Sequence, residues 1–236
     1  MCESCGCEAR GAATTVVREN LLSANDRVAA HVRKHFDARR VLAINLMSSP
    51  GAGKTSLLEA TIAALPPGIR VAVIEGDLET ENDAERIRRH GVRAVQITTG
   101  VACHLDATMV HDAIDELGLD DIDILFIENV GNLVCPADFD IGQHRNVVLL
   151  SVTEGDDKPA KYPVMFRNAD LVLISKTDLL PYLDDFDLGR ARRGLERLGR
   201  DGHIKEASAK TGQGLAGWTD WLLAELAARR VAAAAA

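Results

Sequence analysis

Residues Leu46–Leu58 read LMSSPGAGKTSLL: an apolar run stops at a proline- and glycine-bearing turn and resumes as a helix-like stretch. Within it Gly53, Lys54 and Thr55 stand in the order of a phosphate-binding loop set between a strand and a helix. That chemistry needs those residue types. Amides of the turn around Gly51, Ala52 and Gly53 can point inward at phosphate oxygens, and the helix amino end at Lys54, Thr55 and Ser56 adds positive potential. The Lys54 ammonium reaches the outer phosphates and the Thr55 hydroxyl suits Mg²⁺. One position departs from the pattern, because Ser48 stands where the first glycine of such a loop is usual.

Outward from this turn the chain alternates. Apolar runs in VLAINLM, RVAVIEG, RAVQITT, DILFIENVG, NVVLLSV, ADLVLISKTD and HIKEASAK are separated by polar, helix-like segments, among them Leu188–Leu198 and Leu215–Arg229. Short, nearly continuous apolar strands between helices predict an α/β fold of the P-loop NTPase class, a doubly wound, mostly parallel sheet with helices on both faces. Leu22, Val28, Val32 and Phe36 recur at near-helical intervals ahead of the first strand. The expected organisation is a flexible cysteine-bearing leader and linker over residues 1–15, then a nucleotide-binding domain over residues 16–236 that opens with an amphipathic helix.

The 236 residues are 47% hydrophobic and 26% charged, which allows a sizeable core. A net charge of -8 argues against general affinity for nucleic acid or anionic membranes. No apolar run has bilayer length and the start lacks the pattern of a secretory signal, so the cytoplasm is expected. Five cysteines in a reducing compartment point to metal or redox chemistry instead of disulfides. Cys2, Cys5 and Cys7 crowd the start, where Gly6 eases their approach around one ion. Such thiolates suit Ni²⁺ or Zn²⁺.

The second half carries a base-reading pattern. LVLISKTD places Lys176 and Asp178 after a strand, as in the Asn-Lys-x-Asp element of GTPases, with Ser175 in the asparagine place. A carboxylate there accepts two hydrogen bonds from guanine, which adenine cannot offer. EASAK then supplies Ser208, Ala209 and Lys210 to back the base, so GTP and GDP are the expected nucleotides. Asp77 and Glu128 end the second and fourth strands, where ligands of open parallel sheets bind. Both are candidates, with Thr55, for holding Mg²⁺ and, with Lys54, for a slow phosphoryl transfer to water. Glu79 and Glu81 read as helix-start solvation.

A second set of residues has ligand chemistry. Cys103 and His104 precede a helix, and Cys135 follows the fourth strand; two thiolates and an imidazole on neighbouring loops suit Ni²⁺ or Zn²⁺. His111 reads as a partly exposed helix residue, and His31, His35 and His144 as scattered.

Taken in order, SSPGAGKT, EGD, CH, ENVGNLVCP, EGDDKPAKYP, SKTDLLPY and SAKTGQG resemble the HypB family of hydrogenase nickel-incorporation GTPases over nearly the whole chain. The resemblance implies a GTPase that dimerises on binding nucleotide, with Lys158 reaching across that homodimer. It implies delivery of Ni²⁺ to the [NiFe]-hydrogenase large-subunit precursor together with a HypA-type metallochaperone. It also assigns nickel to Cys2, Cys5 and Cys7, and a metal site of the GTPase domain to Cys103, His104 and Cys135. Two alternatives stand beside this reading: a related GTPase chaperone for urease or a cobalamin enzyme, and a metal-responsive GTP-binding module without useful turnover.

Overall fold

The computed structural model describes residues 7–77, 82–100 and 102–235, with side chains described within residues 20–232 of that range. Cys2, Cys5, Glu79 and Glu81 lie outside the described residues, as does the side chain of Cys7. Among the described residues seven strands pair in parallel: β1 (Leu42–Ser48), β2 (Val71–Asp77), β3 (Arg93–Thr98), β4 (Ile124–Glu128), β5 (Arg145–Ser151), β6 (Leu171–Ser175) and β7 (Ile204–Ala207). Their order in the sheet is β3-β2-β4-β1-β5-β6-β7.

Why these runs are apolar almost throughout follows from what covers them. On one face Leu42, Ile44 and Leu46 of β1 share a core with Leu58 of α2 (Lys54–Ala64), Ile87 of α3 (Asn82–Arg88), and Trp218 and Leu222 of α8 (Leu215–Ala235). On the other, Ala43 meets Val32 and Phe36 of α1 (Cys7–Ala38) and Val110 and Ile114 of α4 (Ala107–Leu117). Two short helices, α5 (Lys158–Lys161) and α6 (Pro163–Arg167), lead to β6, and α7 (Leu188–Glu196) follows it; Phe166 and Leu195 extend the second face over β5 and β6. With both faces covered, alternation of polar and apolar residues is lost.

Helix α1 begins inside the stretch read as leader and linker, in a segment that carries Ala9, Ala12 and Ala13, alanine being the best helix former. Its far end is clasped to the domain. The Asn25 side chain donates to the Asp140 carbonyl at 2.7 Å and accepts from the Ala107 amide at 2.9 Å, and Arg33 forks onto the Asp140 carboxylate at 2.7 Å.

The chain leaves β1 toward β2 and β3 on one side, returns through β4, and then builds β5 to β7 on the other. β1 is therefore the switch strand, and the crevice for a ligand opens at its carboxyl end. The opposite end of the sheet is held by charge: Asp123 accepts from Arg70 Nε at 3.1 Å and from Arg230 at 2.7 Å.

Against burial, which opposes it, these arginines hold the Asp123 carboxyl down at about 2. A depressed carboxylate adds stability above its unfolded value and loses it as pH falls through the folded one. Asp123→Asn is therefore expected to lose about 1 kcal/mol at pH 7 after allowing for the half-exposed arginines. The gap to the parent should close between about pH 5 and pH 2 in urea unfolding curves.

Candidate functional site

The phosphate-binding turn is built by two glycines with left-handed backbone, Gly51 (φ 74) and Gly53 (φ 96), the latter capping α2. Side chains are strained in that region, which is why glycine recurs there. The turn opens on a cleft of about 450 Å³ lined by Lys54, Thr55, Ser56, Glu75, Asp77 and Glu128 among others. Ser48 finds a use for its hydroxyl: it accepts from Lys54 Nζ at 3.3 Å and donates to the Ser49 carbonyl at 2.6 Å. Lys54 Nζ lies 3.6 Å from Glu128 Oε1, which also accepts from Thr55 Oγ1 at 3.1 Å.

Parallel register sets Glu75 of β2 directly beside Glu128 of β4. Both are buried, and burial pushes both carboxyls above the usual range; the neighbouring Glu128 charge drives Glu75 further up, while Lys54 pulls Glu128 back. Glu75 Oε1 and Glu128 Oε2 have no hydrogen-bond partner. A pair of buried carboxyls with one orphaned oxygen each, next to a threonine hydroxyl, fits a hard divalent cation such as Mg²⁺, whose charge would favour their ionised form. Sequence reading did not single out Glu75, although a charged residue inside the buried run VAVIEG was its signal.

A second cavity of about 330 Å³ adjoins the first, sharing Gly53, Ser56 and Lys176 as lining. Here the serine at the asparagine place has a role: Ser175 Oγ donates to the Ala52 carbonyl at 2.8 Å. Lys176, itself in left-handed backbone (φ 59), donates from Nζ to the Gly51 carbonyl at 2.6 Å. The end of β6 is thereby tied to the phosphate turn. Asp178 accepts from the fully buried Ser208 hydroxyl at 2.6 Å, and Ala209 and Lys210 line the same cavity. All the residues expected to cradle phosphate and base are thus brought together.

Cys103, His104 and Cys135 also converge, with ligand atoms within 4.8 Å of one another. Cys103 Sγ donates to Cys135 Sγ at 2.9 Å and lies 3.9 Å from His104 Nδ1. That thiol contact, then burial, pushes Cys135 up, and burial pushes His104 down, which favours the neutral imidazole that can donate a lone pair. The His104 ring stacks on Phe139 at 4.0 Å.

The two centres share structure. Asn129, next to Glu128, accepts through Oδ1 from the Leu105 amide at 3.1 Å and donates to Asn45 of β1 at 3.2 Å. A Cβ at Gly131 would stand 2.8 Å from Pro50 Cα, so the segment between Glu128 and Cys135 rests directly on the phosphate turn. Lys158 opens α5 with its ammonium 5.4 Å from the Tyr162 ring centre.

The histidines are less scattered than expected. His144 is structural: its Nδ1 accepts from the Ala43 amide at 2.9 Å, and burial holds it down at about 4. His31, His35 and His111, by contrast, form a cluster. Four-residue spacing on α1 and the packing of α1 on α4 bring them together, and sequence spacing alone does not reveal the second of these.

Known proteins resemble this chain in sequence and in fold. The profile of the CobW/HypB/UreG nucleotide-binding domain matches residues 42–200. Hydrogenase maturation factor HypB of Rhizobium leguminosarum bv. viciae is 50% identical over 215 residues, covering 91% of this chain and 72% of the relative. The crystal structure of HypB from Helicobacter pylori in complex with nickel superposes with a TM-score of 0.80 at 42% identity, over 86% of this chain and 94% of that one. HypB of Archaeoglobus fulgidus gives 0.81 at 39% identity, over 87% and 100%.

Carboxyls raised in the folded state favour stability below their unfolded value and lose it as pH rises toward the folded one. The nucleotide-free protein is therefore expected to weaken as pH climbs above the ordinary carboxylate range. Glu75→Gln should melt at a higher temperature than the parent, by a margin that widens from about pH 5 to pH 8. Thermal melts at several pH values check this; a margin independent of pH would show that the pair carries no such strain.

Proposed function

This chain belongs to the CobW/HypB/UreG nucleotide-binding family, within its HypB members, and on that premise we propose that it is a GTP-hydrolysing nickel metallochaperone for [NiFe]-hydrogenase maturation. The observation that carries the reading is the Glu128–Cys135 segment. One end contacts the Thr55 hydroxyl, its middle rests on Pro50, and its far end supplies a thiol to the Cys103–His104–Cys135 set.

GTP lies with its phosphates in the cleft around Gly51, Ala52, Gly53, Lys54, Thr55 and Ser56. Guanine occupies the cavity of Lys176, Asp178, Ser208, Ala209 and Lys210, with Ser208 holding Asp178 in place to accept from the base. Thr55, Asp77 and Glu128 would hold Mg²⁺, which when bound neutralises charge on the outer phosphates. Lys54 stabilises the charge that develops as water attacks the γ-phosphorus and its bond to the bridging oxygen breaks, giving GDP and phosphate. Asp77 and Glu128 are the carboxylates at the strand ends available to orient that water. Turnover is slow and switch-like, since the loop, the lysine, the metal and one water-orienting group are all that such a rate needs.

Nickel is the cargo. Cys103 and Cys135 bind it as thiolates with His104, so uptake releases protons. Loss of the γ-phosphate alters contacts at Lys54, Thr55 and Glu128. Asn129 and Gly131 pass that change to the thiol loop, lowering its hold on nickel. Cys2, Cys5 and Cys7 act as a loading arm at residues 1–15, ahead of the GTPase domain at 16–236. Lys158 reaches the second copy in a GTP-dependent homodimer. A HypA-type metallochaperone and the hydrogenase large-subunit precursor are the partners, and the cytoplasm, where thiols stay reduced, is the setting.

Four variants test the assignment. Lys54→Ala is expected to reduce GTP hydrolysis at least a hundredfold, on the order of losing one preorganised cation at the transition state; parental turnover would refute the phosphate-site reading. Asp178→Asn exchanges an acceptor for a donor and should weaken GTP binding about a hundredfold or more while admitting xanthosine triphosphate. Cys103→Ser and Cys135→Ser should each lose the nickel equivalent whose affinity differs between the GTP-analogue and GDP states, measured by competition with a metal chelator. A nickel affinity identical in both nucleotide states would break the proposed link between the sites.

A further inference from the structure

Among the described residues, one cluster of ligand-type side chains has no part in the function above. His31 and His35 lie one turn apart on α1, with their Nε2 atoms 3.0 Å apart and ring centres 4.6 Å apart. His111, one turn into α4, faces both: its ring centre is 5.6 Å from that of His31 and 5.8 Å from that of His35. One ligand atom from each ring lies within 4.8 Å of the others. We propose that His31, His35 and His111 form a separate, all-imidazole metal site that takes a borderline divalent cation, Zn²⁺ or Ni²⁺, across α1 and α4.

Several features favour this over chance proximity of rings. Nitrogens bound to one such ion at about 2.0–2.1 Å lie about 3.3 Å apart, so the rings need only small side-chain rotations to close on it. Their backbones do not have to move, because α1 and α4 are already locked together by buried Val32, Phe36, Val110 and Ile114 and by the Asn25 bond to the Ala107 amide. Two ring nitrogens at 3.0 Å cannot both carry protons toward each other, so at least one already presents a lone pair.

The surroundings supply what ligating histidines ordinarily have. Asp112 and Asp115 each place a carboxylate oxygen 3.8 Å from His111 Nδ1, close enough that a small rotation would let a carboxylate accept from Nδ1–H and fix the tautomer whose Nε2 ligates. A shallow cavity of about 310 Å³ bordered by Arg27, Val28 and Thr108 opens beside His31 and His111, so water or an exchanging ligand can complete the coordination. Imidazole without sulfur selects Zn²⁺, Ni²⁺ or Cu²⁺ over Mg²⁺ and Ca²⁺, which take oxygen. The site is thus chemically distinct from the thiol loop and from the carboxylate cleft.

The test uses the full chain, loaded separately with Zn²⁺ and with Ni²⁺, by equilibrium dialysis with elemental analysis. The parent is compared with a triple variant (His31→Ala, His35→Ala, His111→Ala), with the single variant His111→Gln, and with Cys103→Ser. The triple variant is expected to bind one equivalent fewer than the parent of at least one of the two cations. It should retain the sulfur-to-nickel charge-transfer absorption and the GTP turnover of the parent. His111→Gln should weaken the same equivalent at least about tenfold, and it decides the matter if the triple variant does not fold. Cys103→Ser should keep that equivalent, which separates this site from the nickel-chaperone reading: either can fail alone. Unchanged stoichiometry and affinity for both cations in the histidine variants would overturn the proposal, as would loss of the thiolate absorption with them.

Discussion

Two carboxylates that cannot avoid each other organise this molecule. Parallel pairing of β2 with β4 sets Glu75 against Glu128 in register, at the end of the sheet where the phosphate turn leaves β1. Both are buried, Lys54 is the cation within ion-pair reach of Glu128, and one oxygen of each lacks a hydrogen-bond partner. A negative pair in low-dielectric surroundings raises its own proton affinity and waits for positive charge. The nucleotide-free cleft is in that sense prepared for a cation and phosphates together, since either alone would leave charge uncompensated.

From that pair the consequences run along the backbone. Glu128 ends β4, and the residues that follow are firmly placed: Asn129 is held between Asn45 and the Leu105 amide, and Gly131 is pressed on Pro50. Leu105 immediately follows His104, and Cys135 lies at the end of the same segment. The thiol and imidazole groups therefore lie on loops that pack against the phosphate turn. They sit on loops whose anchoring points are shared with it, and a packed anchor has discrete arrangements instead of a continuous give. The second anchor is at the other edge of the turn, where Ser175 and Lys176 bond its carbonyls and so couple the base cavity to the phosphate cleft.

Much of this was legible before any coordinates. The alternation of mostly apolar runs with helix-like segments marked each of the strands among the described residues, since strands covered on both faces, such as β1 and β4, read as short continuous apolar stretches. Gly53, Lys54, Thr55, Lys176, Asp178 and Ser208 were recognisable because each is required locally, by a turn, a helix start or a strand end. Glu75 was passed over in favour of Asp77, as a residue in the middle of a strand gives no local sign that its neighbour across the sheet is also acidic. Ser48 and Ser175 looked like defects in their motifs. Only in the fold do their hydroxyls meet Lys54 and the Ala52 carbonyl.

The histidines mark the division most sharply. Four-residue spacing alone puts His31 and His35 on one helical face, but bringing His111 to them takes the docking of α1 onto α4 through Val32, Phe36, Val110 and Ile114. By itself the sequence determined the α/β class, the strand succession and the nucleotide motifs, because these follow from short-range periodicity and from turns that few residue types can make. Tertiary structure alone decided the Glu75–Glu128 pairing, the bridge through Asn129 and the meeting of three imidazoles. Each depends on sheet register or helix packing between segments far apart in the chain, and no local pattern encodes a distance between them.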